Sequence, residues 1–336
     1  MGRVIVVTGG AGFIGSHIVR ALLARGDRVR VLDDFSTGRR ENITEVLADV
    51  ELFEGDVRDE ELVTRALAGA DSVLHEAAVP SVALSFERPG LVESVNVAGT
   101  ATVLGAARAQ DVRRVVLASS CAVYGDPVAV PIREDATAMP LSPYAVGKLA
   151  AEWYLWVLGV KRGEMGAGSS SRESGAHVPS GGVETVALRY FNVFGPRQDP
   201  GSEYSGVIAR FMAAACSGQP CTIYGDGRQS RDFVYVADVA AANLLALDAA
   251  SAVGRAMNVG SGVETTLLDL VAGIEAVSGT RLTVHHQPAR EGDIGRSCAA
   301  VALAHELLGC APPTSLPIGL SHTLVSYRDG LQTSGG

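Results

Sequence analysis

An apolar strand, a glycine-rich turn and a helical pattern follow one another within the first 25 residues, and that succession closes off most folds. Residues 3–8 form a β-branched run, Thr8-Gly9-Gly10-Ala11-Gly12-Phe13-Ile14-Gly15 is the turn, and residues 13–25 carry helical periodicity. Gly9 and Gly10 permit a tight turn, Gly12 lets the backbone approach a pyrophosphate, and Gly15 lets the helix pack close to the strand. The helix N-terminus adds free N–H groups and the positive end of a dipole, an anion site made from backbone alone.

The same rhythm continues. Residues 29–33, 50–54, 72–76, 113–119 and 184–190 read as further strands, and residues 60–68, 91–110 and 144–160 as helices. Near-continuous apolar strands separated by helices imply a parallel sheet covered on both faces, with ligands above the strand carboxyl ends. The expected class is therefore α/β, a doubly wound parallel (Rossmann) sheet. Beyond Tyr190 the pattern is mixed, with helices near 237–247 and 266–277, which suits a smaller mixed α/β C-terminal lobe. We divide the chain into 1–191 plus 236–260 for the dinucleotide domain and 192–235 plus 261–336 for the second lobe. The Ser/Gly-rich stretch 162–182 reads as a flexible surface insertion.

Asp33 closes the second strand, 18 residues after Gly15. A carboxylate there accepts from adenosine ribose hydroxyls and repels a 2′-phosphate, so the expected cofactor is NAD rather than NADP. Asp34 reinforces the sign, while Arg39 and Arg40 read as solvent-facing. Gly55-Asp56-Val57 is placed to meet the adenine, and an ordinary βα turn is an almost equal reading.

Bulk properties narrow the field further. A net charge of −9 argues against nucleic-acid or anionic-membrane partners. The five cysteines include no CxxC pair, so neither a zinc site nor a disulfide framework is expected. The N-terminal residues read as a strand rather than a signal peptide, and no apolar run reaches membrane-spanning length; a cytoplasmic location is the default expectation.

Tyr144 and Lys148 are four apart on a predicted helix and share one face. An ammonium beside a phenol is expected to lower its pKa toward the working range of a general base. Ser120 follows the fifth predicted strand, where a hydroxyl can hold a substrate oxygen undergoing oxidation.

At these residues the chain resembles the extended short-chain dehydrogenase/reductase family, and within it the nucleotide-sugar 4-epimerases. The likeness rests on the glycine turn continued by Ser16-His17, on Gly55-Asp56-Val57-Arg58-Asp59, residues 75–82 and Asn96-Val97-Ala98-Gly99-Thr100. It continues through Ser119-Ser120-Cys121-Ala122-Val123-Tyr124-Gly125-Asp126, Ser142-Pro143-Tyr144-Ala145-Val146-Gly147-Lys148, residues 188–198 and Gly225-Asp226-Gly227-Arg228-Gln229-Ser230-Arg231-Asp232-Phe233-Val234. The resemblance implies transient oxidation at sugar C4: Tyr144 takes the hydroxyl proton, Lys148 also holds the nicotinamide ribose, and Ser120 bonds the 4-oxygen. It implies NAD contacts from Gly9, Gly12, Phe13, Ile14, Gly15, Asp33, Asp34, Ser36, Asp56, Val57, Ala77, Ala78, Asn96, Ser119 and Phe191. It implies a UDP-sugar substrate met by Ser81, Ser120, Cys121, Ala122, Asn192, Arg197, Val207, Tyr224, Arg231, Arg290 and Asp293. A homodimer through the 91–110 and 144–160 helices is a further implication, with packing inside the monomer as the competing reading.

Related dehydratases and decarboxylases carry carboxylates just after the catalytic hydroxyl. Here that segment is Ser120-Cys121-Ala122-Val123-Tyr124, so simple epimerisation is favoured over elimination. For the sugar, Arg197 suits a C6 carboxylate, and Pro80 departs from the lysine of many UDP-galactose epimerases. The reading leans to UDP-glucuronate/UDP-galacturonate, with UDP-glucose/UDP-galactose as the alternative and Arg197 in an internal salt bridge as the bland one. A non-catalytic NAD-sensing protein and a net dehydrogenase are rivals from other classes. Glu76 is out of pattern, because a buried carboxylate at a strand end needs a partner or solvent.

Overall fold

The computed structural model describes residues 2–127, 129–159, 182–201, 206–289 and 294–333, so the predicted insertion falls almost wholly outside the described residues. In chain order the strands are β1 (Val4–Thr8), β2 (Arg28–Asp33), β3 (Val50–Glu54), β4 (Ser72–His75), β5 (Arg114–Ser120) and β6 (Glu184–Tyr190). They continue with β7 (Asn192–Phe194), β8 (Cys221–Tyr224), β9 (Ser230–Tyr235), β10 (Arg255–Val259), β11 (Glu264–Thr266) and β12 (Val284–Gln287). The helices are α1 (Phe13–Arg25), α2 (Glu60–Leu67), α3 (Val82–Glu87), α4 (Pro89–Glu93), α5 (Gly99–Ala109) and α6 (Pro143–Leu158). After them come α7 (Val207–Ser217), α8 (Val236–Asp248), α9 (Leu267–Ser278), α10 (Ala302–Leu308) and α11 (Leu316–Thr333).

Seven strands form one parallel sheet in the order β10-β6-β5-β4-β1-β2-β3. The order reverses beside β1, and at such a switch point the loops diverge and open a crevice. Strand alternation explains the continuous apolar runs. Ile5, Val7, Val31 and Leu188 point to the side covered by α1 and α8, whereas Val6, Leu32, Val115 and Ala187 point to the side covered by α2, α5 and α6. Each large side chain so buried contributes on the order of 1.5–3 kcal/mol. A third apolar cluster, around Phe194, Phe211, Ile223 and Leu270, supports the C-terminal lobe and its two small sheets, β11-β9-β7 and β12-β8.

Two departures from the sequence reading matter for the site. The single helix expected over 91–110 is interrupted by a wide π turn at Ser94–Ala98. That turn directs Asn96 inward, where its amide accepts from Val79 N at 2.8 Å and donates to Val79 O at 3.2 Å. The second departure is β10, a strand the sequence pattern did not single out, which adds to the free edge of β6 after the excursion through β7–β9. No described helix is long and apolar enough to cross a membrane.

Candidate active site

A cavity of about 910 Å³ opens above the carboxyl ends of the central strands. Its floor at one end is the glycine turn. Gly9 adopts φ +67°, and a Cβ there would meet Ala77 N at 2.7 Å. At Gly15 a Cβ would lie 2.1 Å from Gly9 O, so only glycine lets α1 start this close to β1. Gly12 differs: its only close neighbour would be Gly9 O at 3.1 Å, and its bare Cα faces the cavity. The N-terminus of α1 has no side-chain cap and no acid in its first turn. Uncapped N–H groups beside a bare glycine fit a diphosphate.

Asp33 is 4% exposed at the next station along this wall. Its oxygens accept from Ala11 N and Phe35 N, both at 2.8 Å, and burial raises its pKa against the pull of those bonds. A carboxylate has about four acceptor positions, so two remain for ribose hydroxyls. Asp34 accepts from Ser36 N and Oγ. Asp56 accepts from Arg58 Nε at 2.9 Å, which lowers its pKa, and Val57 is buried under Gly99. Phe13, Ile14, Ala77 and Ala78 complete this half of the cavity. Arg39 is not simply solvated: it pairs with Asp199 across the cavity mouth, while Arg40 pairs with Glu54 and stacks 4.3 Å over Phe35.

At the far end the cavity is lined by Ser119, Ser120, Tyr144, Lys148 and Phe191. Ser142 caps α6 by accepting from Ala145 N, and Pro143 begins the helix, which together fix where Tyr144 and Lys148 emerge. Lys148 Nζ donates to Ala118 O at 2.8 Å and sits 5.9 Å from the centre of the Tyr144 ring. Burial lowers Lys148 to about 8, opposed by the carboxylates of Glu76 and Glu152. The expected depression of the phenol is not what the site shows. Burial pushes Tyr144 up to about 12, and only the Ser120 hydroxyl pulls the other way. Desolvation outweighs that hydrogen bond, and the Lys148 ammonium, 5.9 Å from the ring centre, does not offset it.

Behind these groups lies a buried network that sequence reasoning missed. Arg189 donates to both oxygens of Glu152, at 2.9 and 2.7 Å, and to Tyr124 Oη at 2.9 Å. Ser119 Oγ also donates to Glu152, and Tyr124 Oη donates to Asn258 at 2.7 Å. The available signal was spacing: Glu152 lies one helical turn beyond Lys148. Glu76 finds its partner in Tyr190, whose hydroxyl donates to Oε1 at 2.8 Å.

The residues expected to meet the sugar nucleotide divide. Cys121, Ala122, Asn192 and Arg197 line the cavity with Ser120 and Tyr144. Arg197 sits at φ +66° and donates through Nε to Ser16 Oγ at 3.0 Å; it forms no ion pair with a described carboxylate. Burial, then Arg20, lowers its pKa to about 10. Asn96 and Ser81 lie outside the cavity lining: Asn96 braces Val79, and Ser81 caps α3 by accepting from Leu84 N. Val207 begins α7 and Tyr224 ends β8, both half-buried and outside that lining. Arg231 donates to Ser230 O and to Ile294 O at 2.7 Å. Arg290 and Asp293 lie outside the described residues.

With this geometry in hand, comparison with known proteins is informative. Residues 5–260 match the family described as the NAD dependent epimerase/dehydratase family. A UDP-glucose 4-epimerase of Mycolicibacterium smegmatis is 39% identical over 332 residues, covering 97% of this chain and 99% of that protein. A crystal structure of a Thermotoga maritima UDP-glucose 4-epimerase with UDP-glucose superposes with a TM-score of 0.87 at 35% identity, covering 98% of this chain and 99% of that one. A solved complex of MoeE5 with UDP-glucuronic acid and NAD gives a TM-score of 0.82 at 31% identity, covering 97% and 99%. An uncapped helix over a glycine turn, a buried carboxylate at the end of β2 and a Ser-Tyr-Lys group lining the same cavity thus meet an independent likeness over nearly the whole chain, and the chain belongs to the NAD dependent epimerase/dehydratase family.

Proposed function

We propose that this UDP-sugar 4-epimerase works on UDP-glucuronate and UDP-galacturonate. The observation that carries the sugar assignment is Arg197, a cavity-lining guanidinium with no described carboxylate as ion-pair partner. A C6 carboxylate supplies the missing anion in bidentate geometry. Small Cys121 and Ala122 leave it room, and MoeE5, one of the relatives, has been solved with UDP-glucuronic acid.

Bound NAD, held by the glycine turn, Asp33 and Lys148, supplies the hydride acceptor and donor for sugar C4. The chain's own residues do the rest. Ser120 holds the 4-oxygen, and Tyr144 takes its proton and returns it after the keto sugar has turned over. Lys148 keeps its ammonium on the Tyr144 side of the cavity by donating to Ala118 O. The segment after Ser120 offers Cys121, Ala122 and Val123, with no carboxylate to drive elimination or decarboxylation. Asn192 and Arg231 are assigned to the nucleotide diphosphate, along with Arg290 and Asp293 from the sequence alone. We further infer a homodimer through α6, whose Trp153 and Trp156 are 54% and 66% exposed and pack edge to face at 5.1 Å. Light scattering of wild type and Trp156→Glu tests it, a monomeric wild type being the refuting result.

A second reading has its own support. The bond from Arg197 to Ser16 on α1 brings the guanidinium toward the cofactor diphosphate. The test is to incubate the protein with UDP-glucose and UDP-glucuronate separately and resolve the C4 epimers. Arg197→His then weakens turnover of glucuronate far more than of glucose if it reads the sugar. Equal losses together with poorer NAD retention assign it to the cofactor.

A further inference from the structure

Glu76 follows β4 directly, and its side chain lies on the opposite side of the strand from His75. His75 is held between Thr8 Oγ1 at 2.7 Å and Thr100 Oγ1 at 3.0 Å, on the α5 side. Glu76 instead lines the same cavity as Ala118, Ser119, Tyr144 and Lys148, near enough to Lys148 for their charges to interact. Its hydrogen bonding has a fixed polarity. Asn243 Nδ2 donates to Tyr190 Oη at 2.6 Å, so the single hydroxyl proton of Tyr190 is free to go to Glu76 Oε1. Among the described residues that is the only hydrogen bond to this carboxyl group, which leaves Oε2 to the cavity. Burial raises the Glu76 carboxyl to about 7, against the Tyr190 hydrogen bond and the Lys148 ammonium, so it carries its full negative charge above neutral pH; it forms no direct ion pair with Lys148.

A carboxylate aimed this way acts on charge. The oxidised nicotinamide ring is a cation, and accepting a hydride with its electron pair makes it neutral. A negative charge close to the ring stabilises the cation and loses that interaction on reduction. We propose that Glu76 is a positioning residue and counter-charge for the nicotinamide ring, held by Tyr190 and Asn243, which keeps the bound cofactor oxidised between turnovers. This rests on the assignment of the reacting end of the cavity to Tyr144 and Lys148. The benefit to an epimerase is specific: a keto intermediate that escapes leaves reduced cofactor and a dead enzyme, and a stabilised cation opposes that state.

The test reads the cofactor directly. Sodium cyanoborohydride is added to the NAD-loaded protein, and reduction of bound NAD is followed by dihydronicotinamide absorbance. Glu76→Gln, isosteric and still able to accept from Tyr190, is expected to be reduced about tenfold faster than wild type. With all reactions run at pH 9, above the value of about 7 to which burial raises this carboxyl, Tyr190→Phe removes the hydrogen bond but leaves Glu76 ionised, and is expected to stay near the wild-type rate. Equal rates for wild type and Glu76→Gln overturn the proposal. Equal acceleration in both variants also overturns it, because the frame and not the charge then sets the rate. Since no sugar is needed, a protein inactive on every UDP-sugar that still shows the rate difference refutes the epimerase reading and keeps this one.

Discussion

Replacing Arg189 with methionine tests whether the network behind the site is what holds it. Arg189 is 8% exposed, and Glu152 receives two of its N–H groups at 2.9 and 2.7 Å. Methionine fills much of the same volume but leaves Glu152 with the Ser119 hydroxyl as its one remaining described hydrogen-bond donor. Breaking a buried ion pair from one side costs about 3–5 kcal/mol, because a charge stays buried without compensation. The loss of hydrogen bonds to Tyr124 Oη and Glu134 O adds to this. The double variant Arg189→Met/Glu152→Met removes both charges and is expected to recover most of the loss, since apolar replacement of both partners is often close to neutral. Urea unfolding followed by circular dichroism gives the four stabilities of the cycle. The site readout is separate: Arg189→Met loosens Ser119 and alters the charge near Lys148, so kcat falls in folded protein. A single-variant loss below about 1 kcal/mol, the size of a surface pair, refutes the reasoning.

Further outcomes follow from other parts of the site. Tyr144→Phe is expected to abolish epimerisation while NAD still co-purifies; unchanged turnover would remove the phenol from the mechanism. Gly15→Ala places a Cβ 2.1 Å from Gly9 O, so the turn must shift, with about 1–3 kcal/mol of stability lost and NAD retained poorly on gel filtration. His75, 1% exposed, is lowered from 6.5 to about 3 by burial and by Lys148. Its folded pKa is depressed, so its contribution is fully present above about 6.5 and is lost as pH falls toward 3. The upper bound is about 5 kcal/mol, and His75→Gln should flatten stability between pH 6.5 and 4 in urea titrations. Lys148, lowered from 10.5 to about 8, is an ammonium only below that pH in the apo protein. NAD binding by calorimetry should therefore weaken as pH rises through 8, and a flat profile would remove the ammonium from cofactor binding.

The dinucleotide half was legible because its signals are local. A strand, a glycine turn, a helix and an acid at a set distance occur in order along the chain; Gly15 lets α1 start close to β1, and Asp33 lies buried on the cavity wall. The grouping of Ser120, Tyr144 and Lys148 on one cavity was legible for the same reason in part, since Tyr144 and Lys148 share a helix face. The phenol's protonation was not, because burial at the end of β5 is a tertiary quantity that no spacing records. Glu152, Arg189, Tyr124 and Asn258 come from four separate segments, and only the fold shows that they touch. The π turn at Asn96 escaped for a different reason: one extra residue in a helical turn leaves hydrophobic periodicity almost unchanged. Glu76 announced itself as out of pattern, but its partner lies 114 positions away on β6.

A single residue, Phe191, separates β6 in the large sheet from β7 in the small one. It is buried, and its N–H is tied to Val259 O at 3.0 Å, so the two soft dihedrals it contributes have little freedom. Tyr190 on one side of it and Asn192 on the other both line the cavity. The two sheets are therefore joined here like parts of one casting, without the slack that a linker would provide. A ketone that must present its other face has to pivot within walls that keep their spacing at this seam. A substrate in this cavity therefore meets, at Tyr190 and Asn192, two walls whose spacing one buried residue fixes.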